Sequence, residues 1–238
     1  MTSGEEAVAT AVGGALLGGL AGRAVGAAPL GAVIGGINGA VAGFRGIYDW
    51  KSVRGRAAFV LDSTWSMVST GAGLVLMSAS KARELLTGRA MGYEPSLSSR
   101  RNRFVHRGGV VLRRGFAVTI GNVINGAADR RGELTESRRH LVDEHEDVHV
   151  WQERVLGPLY PVLYTGWFIG GVLLAIGRRG RSNALSLSDD IDNLAYYRNP
   201  FEWHAYSRAG EWPPAWVDSE RVWRRPFRWS AGSPTTRR

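Results

Sequence analysis

Apolar and polar positions divide this chain into stretches of different character. From Ala7 to Phe44 polar residues almost vanish. Glycine recurs at every fourth position there twice, at Gly14, Gly18, Gly22 and Gly26, then at Gly31, Gly35, Gly39 and Gly43. At 3.6 residues per turn, a spacing of four puts glycines on one slowly drifting helical stripe, along which another backbone can approach closely. Ala27-Ala28-Pro29 separates the two arrays, and proline breaks or kinks a helix. Residues 1–50 therefore predict a helical hairpin with two facing glycine stripes. Glycine costs about 1 kcal/mol relative to alanine in an aqueous helix, whereas lipid demands that the backbone bond internally. The hairpin is accordingly expected at a membrane, with a low-complexity leader as the alternative.

Residues 51–92 form a second helical region. Its apolar stretch, Ala57–Ser80, contains Asp62, which is unwelcome in lipid and reads as the start of a buried helix with Ser63 and Thr64 in its first turn. Lys81–Leu86 continues it to Gly88. After a loop, residues 103–125 hold short β-rich runs: Arg103–Arg107, Val110–Leu112 and Phe116–Ile120, the last extended by Asn122–Ile124, with Gly108-Gly109 as a hairpin turn. Thr135–Leu156 is charged and helical and stops at Gly157-Pro158. Leu156–Gly177 carries no charge over 22 residues. A short helix follows from Asn199-Pro200, and residues 216–238 are a basic Trp/Arg tail. The expected fold class is α+β, mainly helical, with a small antiparallel sheet.

Composition narrows the chemistry. Among 238 residues there is no Cys, which removes disulfides, thiolate metal sites and thiol nucleophiles. Any metal site must use His and carboxylates. The net charge of +9 comes almost wholly from Arg, since Lys51 and Lys81 are the only lysines among 30 basic residues. That skew reads first as a GC-rich genome and second as a surface for anionic lipid; nucleic acid is not an expected partner. The acidic start, Met-Thr-Ser-Gly-Glu-Glu, does not resemble a secretory signal. Neither a phosphate-binding G-x-x-x-x-G-K-[ST] nor a nucleophile elbow around Ser63 or Ser66 occurs.

One motif carries chemistry. His145-Glu146-Asp147-Val148-His149 is an H-E-x-x-H match on the charged helix. Residues i and i+4 share a helix face, so two imidazoles can grip one Zn²⁺. Glu146, beside that face, is placed to take a proton from metal-activated water. Gln152 lies one turn beyond His149. The resulting H-E-x-x-H-x-x-Q resembles the zincin-like, gluzincin-type metallopeptidase domains of bacteria, over roughly residues 134–207. The resemblance implies a third ligand from a downstream helix, and the matching residue is Glu202 in Asn199-Pro-Phe-Glu-Trp-His-Ala-Tyr206. It further implies that the Gly115–Ile124 strand binds extended substrate. A third histidine in the metzincin spacing is lacking.

Each residue also has a plain structural role open to it. His145 and His149 could be half-buried packing residues and Glu146 a solvated charge. Glu202 could complete a capping pattern with Asn199 and Pro200. Tyr206 could face an oxyanion or pack in a core, His204 points away from the Glu202 side, and Gln152 could orient a ligand.

The uncharged run sets a topological constraint. Were Leu156–Gly177 a complete span, Glu202 would lie across about 30 Å of hydrocarbon from His149. Pro158, Pro161 and Gly170-Gly171 instead favour a bent or broken helix packed against the His helix. The sequence thus leads to a membrane-associated, zinc-dependent metallopeptidase acting on a peptide or protein substrate, with lipid as a partner and glycine stripes able to support self-association. The alternative is a non-enzymatic membrane-inserting or envelope protein, or a delivered toxin, with an inactive His pair.

Overall fold

The computed structural model describes residues 2–112, 115–179 and 186–227; the end of the basic tail and Arg181 lie outside them. The chain divides into two compact units, Met1–Val162 and Leu163–Arg238.

The first unit begins with helices α1 (Ser3–Arg23) and α2 (Ala28–Arg45). Thr2 caps α1 in a reciprocal capping box with Glu5. Pro29 initiates α2 from its first turn, where a missing N–H costs nothing. The two helices meet backbone to backbone. A Cβ on Gly14 would stand 2.2 Å from the Gly35 carbonyl oxygen, and Gly18 and Gly31 oppose each other in the same way. Thr10 seals the open end by donating its hydroxyl to the Gly39 carbonyl at 2.6 Å. The hairpin's inner side rests on α3 (Val53–Ser63) and α4 (Met67–Thr87), with Gly13 on Phe59 and Gly71 on Ile34. Its outer side exposes Val8, Val12, Leu16 and Leu20 on α1 and Leu30, Val33 and Ile37 on α2.

Asp62 closes α3 instead of opening a helix, a correction to the sequence expectation. Its carboxylate is turned inward to satisfy a buried arginine, and the chain breaks at Thr64–Ser66 before α4 begins. A short α5 (Pro95–Ser98) precedes the sheet.

Strands β1 (Phe104–Val105), β2 (Val118–Ile120) and β3 (Val123–Asn125) lie in the order β1-β3-β2. β2 and β3 form an antiparallel hairpin across Gly121, which adopts φ +59°, while β1 runs parallel to β3 with Phe104 opposite Val123. The sheet is therefore mixed, not antiparallel. Gly108-Gly109 does not turn a hairpin, because Val110 is held elsewhere: its N–H donates to Ser80 and its carbonyl accepts from Asn125. Phe104, Val105, Val123 and Ile124 form the centre of the core, with Tyr48, Val142 and Val150 packed around them.

The motif helix consists of α6 (Glu136–His140), a π-helical turn (Leu141–Glu146) and α7 (Asp147–Leu156). Thr135 caps its start and Gly157, at φ +53°, ends it. Ion pairs fix one side of this helix. Arg154, fully buried, donates to both oxygens of Asp62 at 2.7 and 2.8 Å. Tyr48 and Asn122 donate to the same carboxylate. Two and three turns earlier, Arg103 pairs with Asp147 and Asp143.

The second unit contains most of α8 (Leu159–Arg179), then α9 (Leu187–Ile191), a second π-helical turn (Asp192–Tyr197) and α10 (Pro200–Arg208). Pro161 and Gly170-Gly171 do not break α8, contrary to expectation. Pro161 sits in the first turn, and Gly171 serves a close approach in which its Cβ would meet Ala195 Cα at 2.5 Å. The return arm runs back along α8: Trp167 donates to the Leu194 carbonyl and Tyr164 to Glu202. Tyr197, Tyr206 and Val222 form this unit's own core, flanked by Trp212.

Two substitutions test this packing. Gly35→Ala should destabilise by about 1–3 kcal/mol, since its Cβ meets backbone, whereas Gly170→Ala, with open space around it, should gain up to about 1 kcal/mol; chemical denaturation reads both. Asp62→Ala should cost about 3–5 kcal/mol by leaving Arg154 buried and unpaired.

Candidate metal centre

His145 occupies the π-helical turn and His149 the first turn of α7, and both are buried. Their Nε2 atoms lie 3.2 Å apart. Two imidazoles on one tetrahedral zinc, each at about 2.0–2.1 Å, would stand about 3.3–3.4 Å apart, so the pair has the separation that a shared ion requires. The orientation of His149 is fixed from behind. Gln152 Oε1 lies 2.8 Å from its Nδ1. A carbonyl oxygen only accepts, so Nδ1 carries the proton and Nε2 keeps its lone pair for a metal. The Tyr160 hydroxyl, from the first turn of α8, stands 3.3 Å from the same Nδ1.

Glu202 is buried at the N-terminal turn of α10. Asn199 caps that helix by accepting from the Phe201 N–H, while the Glu202 carboxylate accepts from the Tyr164 hydroxyl at 2.8 Å. Burial and the Glu202 charge push the neighbouring Tyr196 well above the ordinary tyrosine range, so it stays protonated. His145, His149 and Glu202 together form a buried group that could hold a metal ion: each offers one ligand atom, and these atoms lie within 4.8 Å of one another. Two imidazoles and a carboxylate are a donor set that suits zinc among several divalent metals.

Glu146 is buried beside the pair and accepts the Thr119 hydroxyl of β2 at 2.6 Å. It is no solvated charge. Gln152 holds the His149 ring through Nδ1. Tyr206 packs in the second unit's core, and the His204 ring lies 4.9 Å from that of Phe227. Thr119, Tyr160 and Tyr164 escaped sequence reasoning, since no spacing rule links them to the motif.

No family model, curated protein or solved structure matches this chain.

Glu153, next on the motif helix, has its carboxyl pushed up to about 7 by burial, with the Ser69 hydroxyl and Gly121 amide pulling it only partly back. The folded protein thus holds this proton above the pH at which the unfolded chain releases it. Stability is greatest below about pH 4.5 in this group's contribution and is lost as pH rises through about 7. Glu153→Gln should remove that fall, which denaturation midpoints measured from pH 5 to 8 will show.

Proposed function

We propose that this protein is a membrane-associated, zinc-dependent metallopeptidase in which His145, His149 and Glu202 hold the metal and Glu146 is the general base. The observation that carries the proposal is the buried His–His–Glu group with a carboxylate, Glu146, on the turn beside it. When bound, zinc supplies the Lewis acidity that polarises a peptide carbonyl and acidifies water. The chain's own part is positioning and proton transfer. Thr119 occupies Glu146 Oε2, which leaves Oε1 to take a proton from water and return it to the leaving amine. Gln152 holds His149 in the tautomer a metal needs, and Tyr164 holds Glu202. Strand β2, an edge strand in the order β1-β3-β2, carries Thr119 and is where an extended peptide would add to the sheet.

The membrane half of the proposal rests on the α1–α2 hairpin. Its glycine faces are spent on each other, and its outer face presents valine, leucine and isoleucine with Arg23 and Arg45 only at the helix ends. The same face supports the second reading, a non-enzymatic membrane-inserting protein.

Metal content separates the two. Wild-type protein should bind one zinc per chain; His149→Ala and Glu202→Ala should lose it, and Gln152→Ala should weaken zinc binding by about 10–100-fold. Glu146→Gln should keep zinc while abolishing hydrolysis of a peptide library. Zinc-free wild type that still inserts into liposomes would favour the second reading.

A further inference from the structure

Helix α8 meets the length and composition of a membrane span, with mean hydropathy 1.7 over Leu159–Arg178 and only 17% of that window buried. Within the second unit, α8 uses one narrow stripe for packing. Tyr164, Trp167 and Gly171 face the return arm through the contacts described above, and Ala175 is buried one turn further on. The remaining wall is open. Leu163, Ile169, Leu173, Leu174 and Ile176 are 50–63% exposed, far beyond what a core helix leaves in water.

We propose that this outer wall of α8 lies in the plane of a bilayer surface containing anionic lipid. The inference rests on the membrane-associated half of the function above and is independent of the metal. Three observations fix the occupant and the pose. The wall offers Leu, Ile, Val and Phe with Thr165 as its polar member, whereas a protein partner would meet a rim of hydrogen-bonding groups. It ends at exposed Arg178, a cation that complements anionic headgroups. The return arm carries Asp189, Asp190 and Asp192 two to six residues before Leu194 and Ala195, which touch Trp167 and Gly171 in the middle of α8. A crossing pose would drag those carboxylates into hydrocarbon at about 2.5–3.5 kcal/mol each. An in-plane pose immerses only the apolar wall and leaves the acidic arm in water.

The absence of native cysteine makes the test direct. Nitroxides placed singly at Ile169→Cys, Leu173→Cys and Ile176→Cys, which share one face of α8, in the full chain, with vesicles of equal parts phosphatidylglycerol and phosphatidylcholine, report depth by power saturation. All three should sit at one shallow depth, about 5–10 Å below the headgroups, and Ile169→Glu combined with Leu173→Glu should reduce vesicle binding at least tenfold while circular dichroism stays that of wild type. Labels that remain in water, depth that increases steadily from Ile169 to Ile176, binding unchanged in the double variant, or protection that arises from self-association without vesicles would each overturn the proposal. Immersion in protein that binds no zinc would leave it standing and overturn the metal centre alone.

Discussion

The buried ion pair between Arg154 and Asp62 is the constraint on which the candidate site depends. Both charges are shut off from water, and each is satisfied by several partners: Asp62 by the guanidinium, Tyr48 and Asn122, Arg154 by both oxygens of Asp62 and by the Asn102 carbonyl. Such a pair contributes little net stability against an apolar replacement, yet it is costly to break. What it gives is a fixed register. Arg154, Asp147 and Asp143 lie on one side of the motif helix and are tied to Asp62 and Arg103, and this holds His145, His149 and Gln152 on the other side in one orientation. A helix free to rotate by a fraction of a turn would carry Glu146 away from Thr119 and His149 away from Tyr160.

The two π-helical turns add a second level of definition. The Asp147 N–H bonds to the Val142 carbonyl, five residues back, which widens the turn that holds His145 and Glu146. The second π-helical turn ends just before Asn199 and Pro200 start the helix of Glu202. Widened turns of this kind are frequent at functional sites, where they re-aim side chains without ending the helix. Here they flank the donors from both parts of the sequence.

Much of this was legible in the chain and the rest had physical reasons to be hidden. The four-residue glycine period marks positions where only a hydrogen fits, and Gly14, Gly18, Gly31 and Gly35 are such positions. The H-E-x-x-H spacing marks a shared face, and Asn199-Pro200 a helix start. The turn at Thr64–Ser66 was invisible because nothing there breaks a helix by propensity; Asp62 ends α3 because of an arginine 92 residues away. The parallel pairing of β1 with β3 was likewise a long-range outcome that two short β-rich runs cannot announce. Gly170-Gly171 looked like a break and is a contact, since glycine signals both flexibility and close approach and only the partner, Ala195, decides between them. Thr119, Tyr160 and Tyr164 reach the site from elements remote from the motif, so no local pattern contains them.

X-ray absorption at the zinc edge of the purified, zinc-loaded protein tests whether the two histidines and Glu202 hold one metal ion. Coordination by this group gives a four-coordinate shell with two imidazole nitrogens at about 2.0–2.1 Å and the remainder oxygen, and that shell is lost in His145→Ala and in Glu202→Ala. A shell without imidazole, or one that survives unchanged in both variants, would contradict it.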